Sequence, residues 1–316
     1  MNAFSASSGE SPQDDQLPES LPVLAAPPEI ASISGISEFV AEAASHAPSI
    51  YNTSPWWFST VGNNICVRAD SERTVPIADP DGRQLTMSCG AVAFTSRVAL
   101  RYLGLIPKAS VLPDAEMANL IVSLSWGDEH KQTSTYERRL FDEIARRRTY
   151  RGGFVSDRLP HGLMSTLAEA AARESAVLRV MSDDDHRTAL LAVVAASSRA
   201  FGLDNARVAE RAKWVLPGNS QSDDRGWGAR PEVESTAPGS PGVVAVLTTA
   251  TDERADWVHA GQALQRVLLV AGTHGVSVAI DAQPLEYPQL RDFIGTELLT
   301  GDCPQMVLRF GVMRQA

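Results

Sequence analysis

Four arginines and a hydroxyl crowd into Arg146-Arg147-Arg148-Thr149-Tyr150-Arg151, and Gly152-Gly153 follows. Guanidinium groups make paired, charge-assisted hydrogen bonds to phosphate oxygens, and a hydroxyl with flexible backbone beside them suits the same ligand. At a helix end the macrodipole also favours such cations, by a few tenths to about 1 kcal/mol. The cluster alone therefore leaves a structural and a ligand-binding reading open. A second run, from Ala47 to Trp56, sets Ser49 and Asn52 between Pro48 and Pro55. An Asn amide offers a donor and an acceptor to the edge of a heterocycle. The prolines equally well stop one element and start the next, with Trp56 and Trp57 as core anchors. Taken together, the two runs point to a flat, phosphate-bearing cofactor held from two distant parts of one chain.

Two further places bear on that chemistry. Gln283-Pro284-Leu285-Glu286 follows an apolar run and offers backbone groups and one carboxylate to a ring system, or serves as an ordinary strand exit. Arg309 sits in the apolar run Val307-Leu308-Arg309-Phe310-Gly311, where a charge needs a partner, either a salt bridge or an anion. The histidines lack metal-ligand spacing, and no metal is expected. Asp183-Asp184-Asp185-His186 reads as a helix start. Neither a Gly-rich nucleotide fingerprint nor a nucleophile elbow is present, so no catalytic side chain is identified.

The elements that must position these groups are legible in outline. The chain has 316 residues, 44% hydrophobic and 21% charged, as in ordinary globular proteins. A formal charge of -10 argues against nucleic acid as a partner. Three scattered cysteines, Cys66, Cys89 and Cys303, suggest a reducing cytoplasm. No apolar run is long enough to span a bilayer, and no signal peptide is apparent, so a cytoplasmic protein without a membrane partner is expected. Residues 1-35 read as a disordered arm rich in Ser, Pro and acidic residues. A helix over Ser37–His46 ends at Pro48, and a hairpin of Trp57–Val61 and Ile65–Ala69 follows. A helix from about Cys89 to Tyr102 and strands near Ser110 and at Asn119–Trp126 complete a first half, 36-130. The second half, 131-316, opens with a helix running into the arginines. It continues through helices at Leu163–Arg173 and His186–Phe201 around a strand at Val177–Met181. A strand at Val243–Thr248, a long helix over Arg254–His274, and strands at Val276–Ile280 and Met306–Val312 finish it, with a short helix at Gln289–Leu298 between the last two. The 217-242 stretch is long for a connection, and loops of that kind are commonly functional lids or disordered. Because strands and helices do not alternate strictly, the expected class is α+β.

In this order the motifs resemble the flavin-dependent nitroreductase superfamily, and more closely its single-chain, Acg-like branch. The resemblance spans about Ser37 to Val312. It rests on Ala47-Pro48-Ser49-x-x-Asn52-x-Ser54-Pro55-Trp56, Asp79-Pro80-Asp81-Gly82-Arg83, Ser88-Cys89-Gly90-Ala91, Arg147-Arg148-Thr149-x-Arg151, Gln283-Pro284-Leu285-Glu286, and Pro304 through Gly311. It implies a nitroreductase-like α+β fold of two similar halves, one chain mimicking the usual homodimer. It also implies one FMN and NAD(P)H as co-substrate. By the same resemblance Arg147, Arg148, Thr149, Arg151 and Arg309 would hold the phosphate and ribityl chain. Pro48, Ser49 and Asn52 would reach the isoalloxazine from the first half, and Gln283, Pro284 and Leu285 would lie along its other edge. The implied activity is hydride transfer to a small nitroaromatic, quinone or unidentified metabolite. Two alternatives are a flavin-sequestering protein with little turnover and a flavin-dependent desaturase. A monomer would suffice for the site, and a homodimer is allowed. Ser54 replaces the family's usual Gln, and Gly152-Gly153 replaces its Arg-Pro. The 217-242 loop, carrying Trp227, would be placed to cover the flavin.

Overall fold

The computed structural model describes residues 32–214, 225–228 and 240–313. The arm expected over the first residues falls almost wholly outside them, as does most of the 217-242 loop.

The first helix, α1 (Ile33–Ala44), is set by its sequence at both levels. Ser32 Oγ accepts the Gly35 amide at 3.2 Å as N-cap, and Ile36, Phe39, Val40, Ala43 and Ala44 form one buried stripe. β1 (Trp56–Thr60) and β2 (Asn64–Ala69) pair as the antiparallel hairpin the alternation predicts. Here Trp56 is buried while Trp57 is 44% exposed, so only one of the two tryptophans is a core anchor. α2 (Arg83–Tyr102) begins six residues earlier than expected. The Asp79 carboxylate accepts the amides of Gln84 and Leu85 at 2.9 and 2.8 Å, so the Asp79-Pro80-Asp81-Gly82 turn is the helix's cap. β3 (Lys108–Val111) and β4 (Leu120–Ser125) close a sheet of order β1-β2-β4-β3.

α3 (Thr135–Arg146) starts on a Ser134/Glu137 capping box and ends at Arg147. Its Phe141 stacks with Phe39 and with Tyr102, at ring-centroid distances of 5.4 and 3.9 Å, tying it to α1 and α2. α4 (Leu163–Ala172), β5 (Val177–Val180), α5 (Asp184–Leu203) and α6 (Asn205–Ala212) follow. Nothing in the local apolar periodicity announces α6. β6 (Val243–Thr249), α7 (Arg254–Thr273), β7 (Ser277–Asp281), α8 (Pro288–Phe293) and β8 (Cys303–Gly311) complete the chain. Gln283–Glu286 forms a 3-10 turn, and one π turn, Ile294–Leu298, follows α8.

The second sheet runs β5-β6-β8-β7, all antiparallel, so both sheets take their strands in the order first, second, fourth, third. Each has a register break in its second strand, at Val67/Arg68 and at Leu247/Thr248. The 20-residue helices α2 and α7 pack between the sheets on a glycine contact. A Cβ on Gly90 would overlap the Val258 carbonyl, and one on Gly261 would overlap the Met87 carbonyl. The principal core is continuous across both halves. A second apolar cluster, including Leu190, Val244, Ile294 and Val307, lies where α5 and the Ile294–Leu298 turn cover the other face of the second sheet. The α+β class expected from the sequence is the one observed.

Candidate functional site

Strain marks the first piece of the site. After α1 the backbone at Tyr51, Asn52 and Ser54 has φ of 46, 58 and 46°, the left-handed region that L-residues with side chains avoid. Such outliers persist only where the surroundings over-determine them. Here Ser49 Oγ accepts the Ser54 amide at 3.0 Å, and Ser88 Oγ of α2 accepts the Ile50 amide at 3.3 Å. Pro48 and Ser49 are buried, whereas the Asn52 side chain is exposed.

The arginine motif leaves α3 and turns along the edge of the second sheet. The Tyr150 amide donates to the Val278 carbonyl at 3.0 Å, in a parallel bridge with β7. That anchoring turns alternate side chains toward residues 225–228. Arg147 donates to the Arg225 carbonyl at 3.0 Å, and Thr149 Oγ1 donates to the same oxygen at 3.0 Å. Arg151 reaches the carbonyls of Gly228 and Gly226 at 2.7 and 3.2 Å. Arg148 turns back to the Ala145 and Arg147 carbonyls near the end of α3. These four residues also line a cavity of about 610 Å³ with Glu143, Gly272 and Ser277. Burial pushes the Glu143 carboxyl up to about 7, against the pull of Arg146 and Arg147.

The 225–228 segment is fastened to the strained turn as well. The Trp227 amide donates to the Ser49 carbonyl at 3.0 Å, and its carbonyl accepts the Tyr51 amide at 2.7 Å. Its indole is fully buried and donates to Gln84 Oε1 at 2.8 Å. The flanking glycines are dictated by contact: a Cβ at Gly226 would meet Ser49 and Asn52 backbone, and one at Gly228 the Tyr51 ring. Gln84 in turn lines a second cavity, of about 620 Å³, whose wall includes Leu285 and Glu286. The segment thus links residues of one cavity to a residue of the other.

The 3-10 turn Gln283–Glu286 carries the last of the residues expected at the site. All four residues are buried. In a 3-10 turn residues three apart share a face, which puts Gln283 and Glu286 together. Ser198 donates to Gln283 Oε1 at 3.0 Å, and Arg207 of α6 donates to Glu286 Oε2 at 3.0 Å. Gln283 Nε2, Glu286 Oε1 and the Tyr51 hydroxyl are buried without a hydrogen-bond partner among the described residues. Burial raises Glu286 to about 8 despite Arg207, and raises the Tyr51 hydroxyl, with Glu286 adding to that shift.

Arg309 stands apart. Its guanidinium pairs with Asp281 at 2.6 Å and lies over the Phe154 ring, 6.0 Å from the centroid. Burial alone would lower its pKa, but Asp281 overrides that and the net shift is upward. The salt bridge weighed from the sequence is therefore the arrangement present. Among the described residues no group of His, Cys, Asp and Glu is placed to hold a metal, and no helix is long and apolar enough to cross a membrane. Gln84, Tyr51, Arg207 and Glu210 were not among the expected site residues, because nothing in their local sequence marks them out. The Glu210 carboxylate of α6 accepts the amides of Ile77 and Ala78, both at 2.9 Å, fastening that helix to the first half.

Sequence comparison finds relatives of this chain that are provisionally named as nitroreductases. One is a protein of Mycobacterium tuberculosis strain H37Rv, provisionally named an NAD(P)H nitroreductase. It is 29% identical over 291 residues, covering 85% of this chain and 82% of the relative. Another from that strain, provisionally named NAD(P)H nitroreductase acg, is 25% identical over 288 residues, covering 85% and 86%. Among solved structures, a Desulfitobacterium hafniense nitroreductase with bound FMN aligns at a TM-score of 0.39 and 14% identity, over 56% of this chain and 90% of that one. No family model matches the chain.

Proposed function

We propose that the protein is an FMN-dependent oxidoreductase of the nitroreductase type, moving hydride between NAD(P)H and a small nitroaromatic, quinone or metabolite. One observation carries the reading: Arg147, Thr149 and Arg151 converge on a row of oxygen acceptors that is backed by Ser49 from the other half. The chain's own carbonyls are those acceptors, and they stand in for anionic oxygens. Guanidinium and hydroxyl donors suit a phosphate better than they suit neutral carbonyls. The orphaned atoms of Gln283, Glu286 and Tyr51 supply unspent hydrogen-bonding capacity for a ring edge. The residues present therefore fit FMN in chemical type. To take the phosphate, the arginines must release residues 225–228.

FMN when bound supplies hydride acceptance and donation. The protein's part is to hold and to shield. Arg147, Arg148, Thr149 and Arg151 would bind the phosphate and ribityl chain, with Arg309 contributing only by sharing itself with Asp281. Pro48, Ser49 and Asn52 would present the first half to the ring, Asn52 after turning inward from solvent. Gln283, Pro284 and Leu285 would border the opposite edge. In this reading the two sheets of like order are the two halves of a nitroreductase dimer joined in one chain.

A second reading, a flavin-sequestering protein with little turnover, is favoured by Trp227. Sealed indole and bonded backbone at this place would keep a nicotinamide away from the ring. An anaerobic absorbance spectrum of the purified protein, before and after NADH or NADPH, separates the two. A flavin band bleached by nicotinamide supports the oxidoreductase. Bleaching by dithionite alone supports sequestration, and a colourless protein that FMN cannot reconstitute overturns both.

A further inference from the structure

The arginine cavity, of about 610 Å³, has an acid in its wall. Among the described residues that line it, Arg146, Arg147, Arg148 and Arg151 are cations and Glu143 is the single carboxylate. Glu143 lies in the last turn of α3 and is half-buried, so its side chain keeps a face on the cavity. Arg146 and Arg147 follow it by three and four positions, the spacing at which a helix forms ion pairs. Yet Glu143 makes no ion pair and no side-chain hydrogen bond among the described residues. Arg147, Arg148 and Arg151 instead donate to the carbonyls of Arg225, Ala145 and Gly228.

The fold holds the carboxyl where a charge is disfavoured. A Cβ on Gly272 would overlap Glu143 Oε1, so the carboxyl lies flat against α7 at a place that only glycine leaves open. Gly272 is itself in the last turn of α7, so the carboxyl sits against the final turns of two helices. The negative end of each helix dipole opposes a further negative charge there. Burial works in the same direction and outweighs Arg146 and Arg147, which is why the carboxyl rises to about 7. The other titratable and charged groups about it are Asp142 on α3, then Arg148, Tyr150 and Arg151 beyond it. His274 caps α7, and Arg225 reaches the Ala145 carbonyl. A neutral carboxyl donates a hydrogen bond, whereas an ionised one only accepts. A phosphate monoester loses its second proton at about pH 6 and then offers three acceptor oxygens. An ionised Glu143 would repel that dianion.

We propose that Glu143 holds the phosphate group as a neutral acid, donating its carboxyl proton to a phosphate oxygen while the arginines answer the charge. The site then takes up a phosphate dianion and a proton from solvent together. The proposal rests on the flavin reading only for the identity of the ester, FMN.

The test is calorimetric titration of the purified full chain, dialysed free of flavin, with FMN, riboflavin and phenyl phosphate. Each is run in two buffers of unlike ionisation enthalpy, which counts the protons exchanged. At pH 7.5 both esters draw more than about half a proton per site, because the carboxyl is mostly ionised before binding and protonated after it. Riboflavin draws none. Above that pH the wild-type affinity for FMN falls by up to about tenfold per unit. In Glu143→Gln, whose amide donates without titrating, FMN draws no more protons than riboflavin and its affinity is flat between about pH 7 and 9. Glu143→Ala lacks the donor and binds FMN several-fold more weakly than Glu143→Gln. If either variant fails to fold, the wild-type proton count decides alone. FMN bound without proton uptake, equal uptake with riboflavin, or unchanged uptake in Glu143→Gln overturns the proposal and leaves the oxidoreductase reading standing. Phenyl phosphate bound with its proton, while FMN is not bound, overturns the flavin reading and supports this one. Neither ester bound overturns both.

Discussion

Arg147, from a cluster of arginines, and Arg309, alone in an apolar run, share one expected role in the sequence, holding a phosphate, and their surroundings separate them. Arg147 donates to the Arg225 carbonyl, whereas Arg309 holds a carboxylate. If Arg147 serves a phosphate, Arg147→Ala weakens FMN binding by about 1.5–3 kcal/mol, the worth of a lost charge-assisted bond. Arg309→Ala costs less in FMN affinity, because Asp281 already claims its guanidinium, and more in stability, because Asp281 is left half-buried and unpaired. Flavin retained per chain after dialysis, alongside urea unfolding, measures both, and equal flavin loss would undo the distinction. Glu286 gives a second prediction. Its carboxyl titrates near 4.5 when unfolded and at about 8 when folded, held up by burial, with Asp79 and Glu210 adding to the effect while Arg207 and Arg83 oppose it. The folded state therefore keeps a proton that the unfolded chain has lost. Stability from this group is full below 4.5 and drains away as pH rises toward 8. Glu143 contributes with the same sign up to about 7. Urea midpoints measured across that window fall with pH in the wild type and fall less steeply in Glu286→Gln; parallel slopes would refute the assignment. None of this was legible from residue types, because a pKa is set by burial and by partners distant in sequence.

Among the elements, periodicity told most where one face meets the core. The α1 stripe, the hairpin β1–β2 and the long α7 fall within a few residues of their expected limits. α2 was cut short because its first turn buries Arg83 and Gln84, polar residues that hydropathy assigns to the surface. α6 escaped notice for a related reason. Its buried residues are Glu210, which accepts the distant Ile77 and Ala78 amides, and Arg211, which lies over the Phe201 ring, contacts that the helix's own periodicity does not display. The α2–α7 packing was equally invisible, since glycine in a helix reads as a weakness until a neighbouring backbone is seen against it. That contact supports a direct prediction. Gly261→Ala gains roughly 1 kcal/mol of helix propensity in isolation but drives a methyl into the Met87 carbonyl, so the net effect is a loss of about 1–3 kcal/mol. Chemical denaturation of Gly261→Ala and Gly90→Ala measures it, and an unchanged midpoint in both would show that the helices can separate freely.

Across the whole molecule, the two halves are interlocked by polar ties as well as by the core. Arg97 of α2 binds Glu174 at 2.6 Å and Gln262 of α7 at 2.8 Å, and Arg83 reaches Gln305 at the start of β8. α6, which belongs to the second half by sequence, is bonded to both: Glu210 to Ile77 and Ala78, Arg207 to Glu286. The polar run near residue 130 suggests a boundary there, but these ties were not legible, because each joins residues more than 75 positions apart. The same holds for the candidate site. Its motifs could be recognised singly, while the segment at Trp227 that joins the arginines to Ser49 lies in a loop whose composition says nothing about docking. The arrangement has a consequence for assembly. Ser49 belongs to the first half and Arg147 to the second, and both bind residues 225–228 of the same chain. A flavin held between them needs no second copy. Flavin occupancy should then stay constant as the protein is diluted through any dissociation detected by light scattering, because binding within one chain carries no concentration term. Occupancy that falls in step with molar mass would mean that a partner chain completes the site, and the reading of one chain as a joined pair would fail with it.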